Sequence, residues 1–377
     1  MRIGIDVYSY DKPGDNYGVG PGVYVWKILP ELVALCPNDV FIIFGNNDNY
    51  DLIPNAKNVE LVINPLNSKF RPYRILHEQI FIPFQFVKLK LDFVHFLGNN
   101  ISYLISNKSI LTVYDLMWKY YLDRGNKEAK YKYFNYTIPR SITSAKAVIT
   151  ISKFIADEVN VLYRSTIGNT FPILLASGNS LKDIDKNEIS NFKLKYPFQF
   201  LFSVTTSMPH KNLMVLLNAF KKIKDESTFD GKLIIAGQLK GEFYKITEYF
   251  IKENKLDEAI ILAGFISEEE KLYCYKNTLM VIYPSLYEGF GLPVLEAMEL
   301  GVPIVASNAA SIPEVGGEAA IYFDPNSPID LATKIILLLE NQNLRTEMIE
   351  KGYKQFKEFT WRKTALKTVE IYKYLFY

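Results

Sequence analysis

Short apolar runs alternate along the whole chain with longer stretches of helical periodicity. This alternation predicts repeated β-α-β units, which fold into a mostly parallel sheet covered by helices. The pattern occurs twice, as two series of strand candidates. The first series is Ile3–Tyr8, Val40–Phe44, Val59–Ile63, Phe93–Leu97, Ile110–Tyr114 and Val148–Ile151, and the second is Phe200–Val204, Leu233–Ala236, Ile260–Leu262, Met280–Tyr283, Pro303–Ala306 and Ala320–Phe323.

The doubled pattern predicts two α/β domains, in agreement with a length of 377 residues and a usual domain size of roughly 150 residues. The polar segment 177–195 lies between the two series and is the predicted linker. We place the first domain at 1–180 and the second at 181–359, with an amphipathic helix at 360–377 that crosses back to the first. Open α/β sheets bind ligands at the carboxyl ends of their strands, so we expect the ligand site in a cleft between the domains.

Composition and charge exclude several classes of protein. The net charge of +2 lacks the basic excess of nucleic-acid-binding proteins, so we expect no nucleic acid partner. No apolar run reaches the ~18 residues of a membrane span, and the N-terminus shows no signal peptide, so we expect a cytoplasmic location. Cys36 and Cys274 lack a metal-type spacing, and we expect neither a catalytic metal nor a cofactor. His95 closes a strand candidate, where it either lines an acceptor site or packs in the core.

The segment after the strand candidate Met280–Tyr283 forms a glycine loop and a short helix. Gly289 and Gly291 allow a ligand to approach the backbone closely. Pro293 suits the first turn of a helix, and Gly301 suits its end, so the sequence predicts a helix over residues 293–300. The start of this helix would present free amides and the positive end of its dipole to a ligand.

Two glutamates, Glu288 and Glu296, flank this loop, and both can face the same ligand. One carboxylate could hold paired hydroxyls, as acidic residues hold ribose in dinucleotide sites. The other could contact a sugar hydroxyl or a developing positive charge. The alternative is a solvated loop acid and a glutamate that complements the helix dipole, but the glycine loop and the proline between the two acids favour ligand binding.

A lysine stands beside a second helix start in the segment Phe200–Phe220. The strand candidate ends at Val204, and Asn212 is predicted to cap the following helix with its side chain. Lys211, just before that helix, is placed to clamp a diphosphate and neutralise it as it leaves. The alternative is an ordinary surface lysine.

These segments resemble glycosyltransferase family 4. Residues 288–298, EGFGLPVLEAM, are similar to its E-x7-E segment, and Thr206, Pro209 and Lys211 match its G-T-L-x-P-R-K-N-L pattern, in which Thr205 and His210 are departures. The resemblance covers the chain nearly end to end. It implies the GT-B fold, with two Rossmann-like doubly wound domains facing each other across a cleft. It also implies metal-independent, retaining transfer of a hexose from a nucleotide sugar (GDP-mannose or a UDP-sugar) to a glycan or lipid-linked glycan during cell-surface polysaccharide synthesis.

The resemblance also implies roles for individual residues. Glu296 would bind the ribose hydroxyls, Glu288 would face the transferred sugar, and the backbone of Ile266 would meet the nucleobase. The glycine turn between the first strand and the first helix would lie near the phosphate or the sugar. The remaining nucleotide-sugar contacts implied are Gly20, Gly22, Thr206, Lys211, Gly289, Phe290, Gly291 and Leu292.

Tyr114 departs from the family pattern, which often has T-x-H-D-L where this chain has TVYDL. The family histidine sits near the anomeric carbon, but a tyrosine with a pKa near ~10 is a poor base. In a front-face retaining mechanism the leaving phosphate takes the acceptor's proton, so a catalytic Tyr114 could suffice; a core tyrosine is equally supported. The departure leaves two rival functions open: a non-catalytic glycan- or partner-binding protein, and another GT-B enzyme such as an epimerase.

Five basic residues surround the apolar runs of the first half: Lys69, Arg71, Arg74, Lys88 and Lys90. They could rest on an anionic membrane surface, as in enzymes that extend lipid-linked glycans. A solvated face is the commoner outcome for such charges, and the sequence alone favours it.

Overall fold

The structure is a computed structural model of the chain. It describes residues 1–10, 20–125, 128–178 and 192–376. Contacts divide it into two compact units, Met1–Gly178 with Phe359–Tyr377, and Asn179–Glu358. Most of the predicted linker at 177–195, including the boundary after residue 180, lies outside the described residues. The cleft expected between the domains stays a prediction. None of the helices described is long and apolar enough to cross a membrane.

Within the described residues, the first unit is built on a seven-stranded sheet that is parallel throughout. Its strands are β1 (Arg2–Asp6), β2 (Val40–Gly45), β3 (Val59–Ile63), β4 (Phe93–Phe96), β5 (Ser109–Val113), β6 (Ala147–Thr150) and β7 (Thr170–Pro172). Their order is β3-β2-β1-β4-β5-β6-β7. The six predicted strands are confirmed, and β7 was missed. It has three residues at the sheet edge and ends in a proline, so it is too short to show a strand pattern.

Helices cover this sheet and complete its core. The helix at residues 361–376 packs against the one at 21–35, and Trp361 Nε1 donates to the Ser177 carbonyl at 2.7 Å. The C-terminal helix is thus part of the first unit. The helices are Pro21–Leu35, Arg71–Leu76, Ile82–Lys88, Met117–Asp123, Ala129–Ser144, Lys153–Leu162 and Trp361–Phe376, with a π-helical turn at His77–Phe81 and 3₁₀ turns at Tyr50–Leu52, Tyr103–Lys108 and Arg164–Thr166.

The second unit also contains a parallel sheet, of six strands among the residues described. All six predicted strands are confirmed to within two residues. The strands are β8 (Phe200–Val204), β9 (Lys232–Ala236), β10 (Ile260–Gly264), β11 (Val281–Tyr283), β12 (Ile304–Ser307) and β13 (Ile321–Phe323). The helices are Phe192–Lys195, Leu213–Glu226, Glu242–Glu253, Glu268–Asn277, Leu292–Leu300, Ile312–Gly316, Pro328–Glu340 and Gln342–Phe356, with 3₁₀ turns at Pro209–Lys211 and Gly317–Ala319.

The strand order of the second sheet is β10-β9-β8-β11-β12-β13. The chain therefore adds β9 and β10 on one side of β8. It then returns and adds β11, β12 and β13 on the other side. Such a reversal opens a crevice at the carboxyl ends of the two central strands, which is where open α/β sheets bind ligands. It brings the loop after β8, residues 205–212, beside the loop after β11, residues 284–291.

Candidate active site

Lys211 and Glu288 form a largely buried ion pair where these two loops meet. The Lys211 Nζ lies 2.7 Å from the Glu288 Oε1, and the two side chains are only 20% and 12% exposed. A backbone hydrogen bond of 2.7 Å from the Leu286 amide to the His210 carbonyl holds the loops together. The structure thus brings together the two residues that the sequence placed in separate motifs.

The lysine controls the ionisation of Glu288. Burial alone would raise the pKa of this carboxyl group. The charge of Lys211 and its hydrogen bond are the largest of the effects that together outweigh burial, so the pKa of Glu288 lies below its ordinary value of 4.5. Beside the pair, burial and the Lys211 charge lower the pKa of His210 to about 4. His210 is therefore neutral near pH 7, and Lys211 supplies the positive charge at this point.

We expect Glu288 to make the second unit sensitive to acid. A carboxylate whose pKa is lowered by folding stabilises the fold above its unfolded pKa, and this contribution is lost as the pH falls through the lower, folded value. As the pH falls from neutrality to below the ordinary carboxyl pKa of 4.5, urea unfolding should therefore show a larger loss of stability for the natural chain than for Glu288→Gln. Equal losses in the two proteins would mean that the pair does not hold the carboxylate ionised.

Glu296 lies on the helix Leu292–Leu300 and is held by two donors from a neighbouring helix. Its Oε1 is 2.9 Å from the Lys271 Nζ, and its Oε2 accepts a hydrogen bond of 2.7 Å from the Tyr275 hydroxyl. Lys271 and Tyr275 are four residues apart on the helix Glu268–Asn277, so they share one face of it. These donors fix the orientation of the carboxylate.

Lys271 and Tyr275 keep fixed protonation states around Glu296. Burial disfavours the charged lysine, but the charges of Glu296 and Glu268 outweigh it and raise the pKa of Lys271. Burial and the Glu296 charge raise the pKa of Tyr275 well above 10, so its hydroxyl stays a neutral donor. The sequence did not point to these two residues. Their four-residue spacing was the only available signal, and it does not show which neighbour a helix face meets.

The charges of both glutamates influence Tyr283, the last residue of β11. Its ring is buried, and burial together with the charges of Glu288 and Glu296 raises the pKa of its hydroxyl well above 10. The Tyr283 hydroxyl therefore stays neutral near pH 7. That Glu288 and Glu296 face one ligand stays a prediction.

The glycine loop between the glutamates is held in shape by its own backbone and by one serine. Gly291 precedes the helix with φ +116°, a conformation that side chains rarely adopt, and the helix begins at Leu292. The buried hydroxyl of Ser311 lies 2.9 Å from the Glu288 carbonyl and 2.8 Å from the Phe290 carbonyl. These contacts hold both sides of Gly289, just before the start of the helix.

The expectation that the Asn212 side chain caps the helix Leu213–Glu226 is wrong. Asn212 adopts the left-handed conformation, with φ +58°, and makes no side-chain cap. Its amide instead donates to the Pro284 carbonyl at 3.0 Å and to the Pro325 carbonyl at 2.7 Å. Asparagine tolerates this conformation better than most residues, and its bonds tie the loop after β8 to two neighbouring loops.

Buried hydroxyls lie in the same loop. Among the residues described, Thr205 Oγ1 and Thr206 Oγ1 are buried without a hydrogen-bond partner. Buried polar groups are nearly always hydrogen-bonded, so two unpaired hydroxyls in one loop are unusual. Thr206 is one of the residues that the family pattern assigned to the nucleotide sugar. Ile266 lies half-buried between β10 and the helix that carries Lys271.

The other predicted site residues lie in the first unit. Gly20 is the residue before the helix Pro21–Leu35, with φ +90°. Gly22 lies inside that helix rather than in the preceding turn, because Pro21 already suits its first turn. Most of the turn, residues 11–19, lies outside the described residues. A role for Gly20 and Gly22 in ligand binding stays a prediction.

Tyr114 and His95 are packed in the core of the first unit. The Tyr114 hydroxyl donates to the Leu97 carbonyl, and burial raises the pKa of Tyr114 well above 10. The ring nitrogens of His95 lie 2.6 Å from the Tyr372 hydroxyl and 2.8 Å from the Thr112 hydroxyl, and burial lowers the pKa of His95 to about 3. These contacts favour the core alternative for both side chains. Neither is placed to act as a base.

The last feature of the site is its set of possible metal ligands. In the parts of the chain that the structure describes, no group of three or more His, Cys, Asp and Glu side chains could hold a metal ion. Metal independence of the reaction stays a prediction.

Known proteins resemble part of this chain in sequence. Residues 185–355 match the family model for glycosyl transferases group 1. The O-antigen chain mannosyltransferase B of Escherichia coli is 30% identical over 247 residues, which are 65% of this chain and 65% of that protein. The match thus spans less than two thirds of that relative's own length.

Solved structures with a similar fold align with nearly the whole chain. A glycosyltransferase from Rickettsia africae ESF-5 has a TM-score of 0.72 and 18% identity, over 100% of this chain and 98% of that one. Anabaena HepE in complex with UDP and glucose has a TM-score of 0.68 and 15% identity, over 99% of both chains. The chain thus resembles the group 1 glycosyl transferases over residues 185–355, and its two parallel α/β units have the GT-B fold.

Proposed function

We propose that this protein is a retaining glycosyltransferase that moves a hexose from a nucleotide-diphosphate sugar to a hydroxyl group of a glycan or lipid-linked glycan. The observation that carries the proposal is the buried Lys211–Glu288 pair, at 2.7 Å, beside the start of a glycine-preceded helix. A cation and free amides at one point suit a diphosphate, and a carboxylate beside them suits sugar hydroxyls. The name of the E. coli relative favours GDP-mannose as donor and cell-surface polysaccharide synthesis as the pathway, with a UDP-sugar as the other donor.

In the proposed reaction the bond between the anomeric carbon and the phosphate oxygen breaks first. Lys211 and the amides of the helix start stabilise the negative charge of the departing diphosphate. Glu288 holds hydroxyls of the sugar as it becomes oxocarbenium-like. The acceptor oxygen then bonds to the anomeric carbon on the same face, and its proton passes to the leaving phosphate. No protein base is needed, in accordance with the packed position of Tyr114.

Glu296 has the separate task of holding the nucleotide. Lys271 and Tyr275 orient its carboxylate by donating to it. The lone pairs that these donors leave free can accept hydrogen bonds from the two ribose hydroxyls. The unpaired hydroxyls of Thr205 and Thr206 would bond to the phosphates of the same donor.

Thermal unfolding with a panel of nucleotides and nucleotide sugars tests the proposal. A ligand at 100 times its Kd adds about 2.7 kcal/mol to stability, so we expect GDP-mannose or a UDP-sugar to raise the unfolding temperature. Glu296→Gln should abolish most of this rise. Glu268→Gln is the matched control, because Glu268 contacts the same Lys271, at 3.2 Å, from the exposed side, and it should retain the rise.

Two outcomes of this experiment would favour one of the rival functions over the proposed glycosyltransferase. If no member of the panel raises the unfolding temperature, the non-catalytic binding protein that Tyr114 suggested becomes the better hypothesis. If a nucleotide sugar binds but is only isomerised, the chain is an epimerase on the same fold. Where a glycoside forms, NMR of its anomeric proton tests retention.

A further inference from the structure

The helical run at residues 71–88 of the first unit contains a π-helical turn at His77–Phe81. The backbone amide of Ile82 donates to the carbonyl of His77, five residues back, whereas an α-helix uses the carbonyl four residues back. Pro83 accounts for the turn, because a proline has no amide hydrogen and its ring clashes with the carbonyl four residues before it. A π turn differs from an α turn by one residue of register, so the run has a second arrangement close in geometry.

One side of the π turn is attached to the loop after β4. The nitrogen of the Gln79 side-chain amide donates to the Ile101 carbonyl at 2.8 Å, and its oxygen accepts from the Tyr103 backbone amide at 3.1 Å. Between these two contacts Ser102 is fully buried, and within the described part of the chain its hydroxyl has no hydrogen-bond partner. Buried polar groups are nearly always paired, so this closed arrangement of the loop carries a cost that opening would relieve.

The other side of the turn is attached to Asp6, the last residue of β1. The Asn64 side-chain amide donates to the His77 Nδ1 at 2.9 Å, so the ring proton lies on Nε2, at 3.2 Å from the Asp6 Oδ1. The ring of His77 is also stacked on that of Tyr8, with 3.9 Å between centroids. The turn therefore lies across the carboxyl ends of β1 and β4, where the strand order of the first sheet reverses and where such sheets bind ligands.

Glu78, inside the π turn, is a half-buried acid close to a second acid. Burial and the charge of Asp6 raise the pKa of Glu78 to about 8, against the opposing charge of Arg74. The Glu78 carboxyl group is therefore mostly neutral near pH 7. Loss of its proton would leave a partly buried negative charge that Asp6 repels.

Several other titratable groups surround Glu78. Asp6 and Arg74 supply the charges that act on it. Three tyrosine hydroxyls from neighbouring elements feel its charge, and burial raises the pKa of each, so all three stay neutral up to pH 8: Tyr10, Tyr103 and Tyr133. Histidines ordinarily change charge in the same range, so a test must compare proteins that all keep His77.

We propose that Glu78 is a proton-operated latch on the first unit: while it is neutral, the π turn stays packed on β1 and on the loop after β4, and loss of its proton releases the turn and opens the carboxyl end of the sheet. A neutral carboxyl group tolerates burial, whereas a carboxylate requires water or a partner. Release would hydrate the carboxylate, separate it from Asp6 and let the Ser102 hydroxyl reach water. The latch lies within the first unit and does not depend on the transfer reaction.

Hydrogen–deuterium exchange tests the latch across the range from the ordinary carboxyl pKa of 4.5 to above pH 8. Opening releases one proton in this range, so its equilibrium constant should rise about tenfold per pH unit and level off at higher pH. In the natural protein, the protection of residues 77–82 and 99–103, corrected for intrinsic exchange rates, should fall by that factor. Glu78→Gln has no proton to lose, so its ratio to the natural protein isolates Glu78 from His77.

Glu60→Gln is the matched control. Glu60 is an exposed acid on β3 of the same unit, 2.9 Å from Arg2, and its variant should keep the pH profile of the natural protein. If Glu78→Gln does not fold, the natural protein alone still decides, because its loss of protection must be confined to the turn and the loop and must level off above about pH 8. The proposal is overturned if Glu78→Gln keeps the natural profile, if Glu60→Gln loses it, or if β2 and β6 lose protection in parallel, which would mean unfolding of the whole unit.

Discussion

Replacing Lys211 by methionine is expected to lower kcat/KM for the nucleotide sugar by about 100- to 1,000-fold, the usual cost of removing one group that stabilises a developing negative charge. Methionine keeps much of the volume of the lysine side chain but has no positive charge to bind a phosphate. Steady-state kinetics with the donor identified by the thermal panel measures the effect. Turnover by Lys211→Met at the rate of the natural protein would show that Lys211 is not part of the active site.

The same substitution leaves the buried carboxylate of Glu288 without its partner. Breaking a buried ion pair by removing one member costs roughly 3 kcal/mol, so part of the lost activity could reflect unfolding. The double variant Lys211→Met/Glu288→Gln separates the two effects. We expect it to recover stability, because no unpaired charge remains, and to stay inactive. Recovery of activity along with stability would mean that the pair is structural.

A matched control exists in the same unit. Lys195 Nζ lies 2.6 Å from Glu270 Oε1, and the glutamate is only 10% exposed. Lys195→Met therefore also removes the cation from a buried glutamate, although Tyr196 continues to donate to it. We expect a loss of stability no larger than for Lys211→Met, with kcat/KM per folded molecule unchanged.

Replacing Gly237 by alanine is expected to destabilise the second unit by about 2–5 kcal/mol. Gly237 follows β9 with φ +132°, and a Cβ atom there would lie 1.8 Å from the Thr205 carbonyl oxygen. Backbone cannot yield as a flexible side chain does, so the loop that leads from Thr205 to Lys211 must move. Thermal unfolding should show the loss of stability. Donor binding by the protein that remains folded should fall as well.

Gly241→Ala isolates the steric part of this prediction. Gly241 also has a positive φ, +78°, but a Cβ atom there would meet nothing within 4 Å. Its substitution should cost about 1–3 kcal/mol of backbone strain, because φ +78° with ψ −161° is a conformation that suits glycine, and it should leave donor binding intact. If the two alanine variants were equally stable, the close approach of Gly237 to Thr205 would be refuted.

Much of the fold follows from patterns that are local in the sequence. Strand candidates appear because parallel strands are buried on both faces and form short continuous apolar runs. The helix at 292–300 was predicted to within one residue, because Pro293 and Gly301 favour its two ends. The strand β7 was missed since three residues at a sheet edge carry no such pattern. The Asn212 cap was wrong since its left-handed backbone is not visible in the sequence.

The candidate site shows the same difference between what the sequence determines and what the tertiary structure decides. By itself the sequence determined the residue types of the candidate site. Glu288 and Glu296 lie around a glycine loop and Lys211 lies beside a helix start, and each motif is a short segment with its own turn chemistry. Only the tertiary structure decided which residues meet. Lys211 reaches Glu288 across 77 positions of the chain because β8 and β11 are neighbours in the sheet. Lys271 and Tyr275 reach Glu296 because two helices pack side by side, and Tyr114 is a neutral core donor because the first unit buries it.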